Sequence, residues 1–167
     1  MMMQYVSKWV GLSFMLMAFV ITGCTNSTEN TKQGYGKQKV VYHINYDNAK
    51  KQTGALRNIQ NHINAVGAEN MDIKVVLHGN GLSLLLEPDA LSNLPKFKSA
   101  NADQDMLPRI DKLKNQGVTF NVCNNTVKGR KVNVNNDLYD VVNADIVPSG
   151  VAELSHLQGL GYTYIKP

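Results

Sequence analysis

Short runs rich in β-branched and aromatic residues alternate with amphipathic stretches from residue 38 to the C-terminus. KVVYHINY (39–46) reads as a strand. In AKKQTGALRNIQNHINAVG, Leu56, Ile59, Ile63 and Val66 share one helical face, and Gly67 marks a stop. MDIKVVLHG (71–79) is a second strand ending in glycine. ADQDMLPRIDKLKNQG is helical: Met106, Ile110 and Leu113 form one stripe, Pro108 fits the first turn and Gly117 closes the end. VTFNVC is the third strand and ADIVPSG (144–150) the fourth. SGVAELSHLQGLG is a last helix with Ser149 as its N-cap, and YTYIKP a fifth strand.

Strands that alternate with helices join by right-handed crossovers into a mainly parallel sheet. The predicted fold class is α/β: a single domain of about five mainly parallel strands flanked by helices on both faces, a Rossmann-like or flavodoxin-like three-layer arrangement. One segment does not fit the alternation. GLSLLLEPDALSNLPKF is apolar but broken by Pro88 and Pro95, which suggests a short helix followed by an irregular excursion. So apolar a loop points to a lid or an interface, and homo-oligomerisation is the expected use.

The first residues are not fold. VGLSFMLMAFVITGC follows Lys8 and has the length of a signal peptide, shorter than the roughly 20 apolar residues of a membrane span. Its end, Ile21, Thr22, Gly23 and Cys24, matches a bacterial lipobox, so residues 1–23 are read as a lipoprotein signal peptide and Cys24 as the lipidated residue. Acyl chains would hold the protein to a membrane, since each buried methylene contributes about 0.8 kcal/mol. The expected location is the periplasmic face of a bacterial membrane, and Thr25, in place of an aspartate, favours the outer one. Residues 24–37 continue as a polar tether with a reach of about 20 Å, and 38–167 form the folded domain. The net charge of +4 comes with no basic cluster longer than KGRK, so nucleic acid is not an expected partner.

There are two cysteines, and lipidation of Cys24 leaves Cys123 without an intramolecular partner. It ends the third strand, where ligands bind in sheets of this class. Other strand ends bring His43, then His78 and Gly79, then Asn124 and Asn125, then Ser149 and Gly150 to the same rim. Cys123 is either a buried filler or a reactive thiol, its acidity raised by the start of a helix and by Lys128 and Arg130 downstream. His43 and His78 either satisfy structural hydrogen bonds or handle protons beside Cys123. A zinc set of Cys123, His43 and His78 is conceivable, but no ligand spacing selects it. HGNG and PSG match no dinucleotide or P-loop fingerprint, so no cofactor is expected.

Four stretches together carry a resemblance: KVVYHINYDNAKKQTGALRNIQNHINAVG, IKVVLHGNGLSLLL, QGVTFNVCNNTVKGR and ADIVPSGVAELSHLQGLGYTYIKP. They resemble the DsrE/DsrF-like proteins over about residues 38–167. The resemblance implies a small α/β domain that assembles as a trimer or hexamer. It also implies a strand-end cysteine, here Cys123, that carries sulfur as a persulfide. The expected function is a membrane-tethered sulfur carrier or sulfurtransferase-type protein, whose partners are a sulfur donor or acceptor protein or a small sulfur species. The alternatives are a non-catalytic oligomeric module binding a small anion or metal, or a thiol redox sensor.

Overall fold

The computed structural model describes residues 34–167. The expected signal peptide, Cys24 and most of the expected tether lie outside the described residues. Strands β1 (Gln38–Ile44), β2 (Met71–Leu77), β3 (Thr119–Cys123), β4 (Ile146–Val147) and β5 (Thr163–Ile165) pair in parallel, in the order β4-β3-β2-β1-β5. Helices α1 (Ala49–Val66), α2 (Leu107–Lys114), α3 (Asn124–Arg130), α4 (Val134–Asp137) and α5 (Gly150–Gly159) connect them, with two 3-10 segments at Gly79–Leu84 and Pro88–Asn93 and two shorter 3-10 turns at Ala68–Asn70 and Asn143–Asp145.

Strand order dictates which face each helix covers. From β1 to β4 the chain steps in one direction across the sheet, and α5 then carries it back to the far side of β1. Right-handed crossovers put helices from opposite directions of travel on opposite faces. Burial follows this rule. Val40, Tyr42, Ile44, Ile73, Val75 and Leu77 pack with Leu56, Ile59 and Ile63 of α1 and with Ile110 and Leu113 of α2 in the larger core. The intervening Val41 and Val76 pack on the other face with Leu154 and Leu157 of α5 and with Tyr162. The three-layer α/β architecture is therefore the one the alternation predicts, with α5 alone forming the third layer.

Local signals act as expected. The Asn48 side chain accepts the Lys51 N–H at 2.9 Å to start α1, and the Gly67 N–H closes it onto the Ile63 carbonyl at 2.8 Å. Pro108 sits at the second position of α2, where no N–H is needed, and Ser149 caps α5 by accepting from Ala152.

The apolar excursion is a correction. Leu82, Leu84, Leu85 and Leu86 are fully buried in the larger core, so the segment is neither lid nor exposed interface. Leu86 bridges Leu138, and the Tyr139 N–H donates to the Leu85 carbonyl at 2.8 Å. The segment closes the core edge against the connection between β3 and β4. Its apolarity serves the domain's own interior, which removes the argument for oligomerisation drawn from it.

A buried polar knot holds the excursion to the end of β1. Gln52 is fully buried; its Nε2 donates to the Tyr46 carbonyl at 2.7 Å and to Ser83 Oγ at 3.0 Å, and its Oε1 accepts from Asn101 Nδ2 at 2.7 Å. Asn101 also donates to the Asp47 carbonyl at 2.9 Å. Gly81 lets this turn press against β1: a Cβ there would fall 1.9 Å from the Ile44 carbonyl oxygen.

Candidate functional site

The loops after β3 and β4 leave the sheet in opposite directions. Val127 of α3 belongs to the larger core, whereas α5 covers the other face. A crevice opens where neighbouring strands diverge in this way, outside their carboxyl ends. Cys123 ends β3 on one side of it, and Ser149 and Gly150 follow β4 on the other. The register Cys123↔Val147 holds the two ends level.

Cys123 is 5% exposed. Burial alone would push its thiol up. Hydrogen bonds from the Gly150 N–H, the Thr126 side chain and the Thr126 and Asn125 N–H groups outweigh burial, and the thiol lies below its ordinary value. The stabilising donors come from the first turns of α3 and α5, on both sides of the crevice. Lys128 and Arg130 are not the cause, contrary to the sequence expectation. Arg130 instead donates to Asn80 Oδ1 at 2.6 Å and to the Lys96 carbonyl at 3.0 Å, and stacks over Phe97.

An open hollow of about 440 Å3 stands over the thiol, lined by His78, Gly79, Cys123, Asn125, Thr126 and Ser149, with Lys96, Arg130 and Val151 at its edge. Lys96 and Arg130 find only neutral oxygens among their hydrogen-bond partners, so the hollow has a cationic margin. Thr126 also accepts the Gly79 N–H at 2.8 Å, joining the end of β2 to the start of α3. Gly150 must be small: a Cβ there would lie 2.9 Å from His78 Cβ and 3.2 Å from Cys123 Cβ.

His43 lies outside the hollow but is linked to it. It is 7% exposed, and its Nε2 is 2.7 Å from His78 Nε2. Its Nδ1 is 2.6 Å from the Tyr164 hydroxyl, and the two imidazoles are stacked with centroids 4.8 Å apart. Burial, then the His78 charge and Lys166, lowers the His43 pKa to about 4, and burial followed by Lys166 lowers that of His78. Both rings are therefore neutral at neutral pH. Their facing nitrogens share a proton, and among the described residues no three His, Cys, Asp or Glu side chains gather as a metal-ligand set.

The fold thus brings together His78, Gly79, Cys123, Asn125, Ser149 and Gly150 from the sequence-derived set, holds His43 one step away, and leaves Asn124 off the hollow's lining. Thr126, Arg130, Lys96 and Tyr164 were not singled out as site residues. Thr126 and Arg130 stand inside the NNTVKGR segment that follows the cysteine, whereas nothing local in sequence marks Lys96 or Tyr164.

The model of the DsrE/DsrF-like family matches residues 15–167. The chain belongs to that family. Among curated proteins none matches it. The DsrE/DsrF-like domain is also similar to the solved structure of MTH1491, a protein of unknown function from Methanobacterium thermoautotrophicum, at 26% identity and a TM-score of 0.61. The match covers 78% of this chain and all of MTH1491. No described helix is long and apolar enough to cross a membrane.

Proposed function

We propose that this DsrE/DsrF-like protein carries sulfane sulfur as a persulfide on Cys123. The observation that carries the reading is the placement of the thiol: Cys123 ends β3 between the starts of α3 and α5, buried against Gly150 and facing an open hollow with a cationic margin. The Cys123 thiolate attacks the terminal sulfur of a polysulfide or a protein persulfide. A sulfur–sulfur bond forms to Cys123 and the donor's bond breaks, so the donor leaves one sulfur shorter with the electron pair. No external oxidant or reductant is needed. Delivery to an acceptor thiolate is the same step reversed.

The lipobox supports attachment to the periplasmic face of a membrane, with the tether setting the reach. Self-association as a trimer or hexamer finds support in the exposed apolar side chains Val151 and Leu160 at the two ends of α5.

The test is mass spectrometry of the intact protein after exposure to polysulfide. Adducts in steps of one sulfur atom should map to Cys123 and vanish on reduction and in Cys123→Ser. An unmodified Cys123, with equal behaviour of the serine variant, overturns the reading in favour of a non-catalytic binding module.

A further inference from the structure

The sheet order arranges four side chains on the face of α5 into one line. Continuing the register beyond Leu77↔Val122 sets His78 level with Cys123 on the neighbouring strand, about 4.8 Å away in backbone spacing. His43 follows on β1, level with Val76 and so two residues back from His78, and Tyr164 on β5, level with Val41 and two residues back from His43, so the line crosses the sheet diagonally. The line runs Cys123, His78, His43, Tyr164 across β3, β2, β1 and β5, from the buried thiol to a hydroxyl on a residue 39% exposed. The first contact is through the shared hollow, and the next two are hydrogen bonds of 2.7 and 2.6 Å.

We propose that His78, His43 and Tyr164 form a proton wire from the Cys123 crevice to the solvent at the β5 edge of the sheet, a route that stays open when a sulfur donor fills the hollow. Two neutral imidazoles joined through their Nε2 atoms allow two arrangements. In one, His78 Nε2–H donates to His43 Nε2, and His43 Nδ1–H donates to the Tyr164 oxygen, leaving His78 Nδ1 bare. In the other, Tyr164 O–H donates to His43 Nδ1, His43 Nε2–H donates to His78 Nε2, and His78 Nδ1 carries the remaining proton. A proton taken up at His78 Nδ1 converts the first into the second. The His78 Nε2 proton passes to His43, the His43 Nδ1 proton passes to the Tyr164 oxygen, and the original phenolic proton leaves to water. Each nitrogen and oxygen ends with the proton count of the second arrangement, and one proton has crossed from crevice to solvent. The wire runs equally well backwards.

Its use rests on the persulfide reading. When the Cys123 thiol is protonated, sulfur uptake releases a proton, and the wire removes it. When the departing donor fragment or acceptor needs a proton, the wire returns it. The charged and titratable groups around the line are Cys123 on β3, Tyr164 and Lys166 at the C-terminus, and Lys96 and Arg130 across the hollow. On α5, the Glu153 carboxylate accepts from Asn121 Nδ2. Among the described residues no carboxylate hydrogen-bonds to either ring, so the neutral states the wire needs are favoured.

The experiment measures the rate of sulfur uptake from polysulfide by Cys123 between pH 5.5 and 9 in the wild type, Tyr164→Phe and His43→Gln. Wild-type adduct formation establishes the persulfide reading separately. The wire predicts that Tyr164→Phe, which removes one exposed hydroxyl, slows uptake about 10-fold below the thiol's own titration, short of the roughly 100-fold or more a positioned acid or base contributes. Above that titration the thiolate forms unaided and the rates should converge. His43→Gln should give the same profile if it folds. A pH–rate profile for Tyr164→Phe that superimposes on the wild type overturns the wire and leaves the persulfide reading intact.

Discussion

His78 and Cys123 stand side by side on neighbouring strands and share one small neighbour: both Cβ atoms press on the bare Cα of Gly150, within 2.9 and 3.2 Å of where its Cβ would be. The contact ties three strand ends together. Because Gly150 also supplies an N–H to the Cys123 sulfur, the residue that lets the crevice close is also one that acidifies the thiol.

Gly150→Ala should therefore strike packing and chemistry at once. The methyl group has no room against β-carbons held by strands, and overpacking of this kind costs about 1–3 kcal/mol. A lowered denaturant midpoint together with slower alkylation of Cys123 is expected. A variant as stable and as reactive as the wild type would mean the crevice is looser than the contact distances imply.

Thr126→Val keeps the shape of the side chain and removes its hydroxyl. The Cys123 sulfur loses a donor and the Gly79 N–H loses its acceptor. Since the lost bond favours the thiolate, the thiol should move back up toward its ordinary value, and stability should fall by about 1–3 kcal/mol for the orphaned N–H. The pH dependence of iodoacetamide alkylation reads the first effect, and an unmoved titration would place the acidity elsewhere.

His43 makes stability depend on acid. Its folded value of about 4 lies below the ordinary 6.5, so the unfolded chain binds the proton more readily. The stabilisation is complete above about pH 6.5 and is lost as pH falls through the window down to about 4, by roughly 2–3 kcal/mol. His62 and His78, also lowered, add to the same slope. Urea unfolding at pH 7.5 and 4.5 measures it; equal midpoints would contradict the neutral histidine pair.

Gln52→Leu tests the buried knot beneath the rim. Leucine fills similar space but abandons the Tyr46 carbonyl, Ser83 and Asn101 together. A loss of about 2–4 kcal/mol is expected, larger than for one bond because the polar partners stay buried. Faster amide exchange over residues 45–47 and 81–83 should accompany it, and a stability loss with no local change in exchange would count against the knot as the anchor of that loop.

Local pattern determined the strands and the longer helices of this protein. β-branched runs fixed β1, β2 and β3, the stripe Leu56, Ile59, Ile63 and Val66 fixed α1, and Asn48, Pro108 and Ser149 act on their immediate neighbours. A strand-end cysteine followed by NNT was legible for the same reason, since capping and strand termination are decided within a few residues. The apolar excursion misled because burial is a property of what surrounds a segment, and only packing against Leu138 and Tyr139 makes it core. The origin of the thiol's acidity was likewise hidden: the Gly150 N–H comes from the next strand's loop, which no spacing around Cys123 reveals. Strand order decided the rest. Tyr164 lies 121 residues from His43 in sequence and hydrogen-bonds to it because α5 returns the chain to the free edge of β1. Side-chain alternation specifies which face each residue takes, but which strands become neighbours depends on the free energy of the whole packed sheet, and that is what lines up Cys123, His78, His43 and Tyr164.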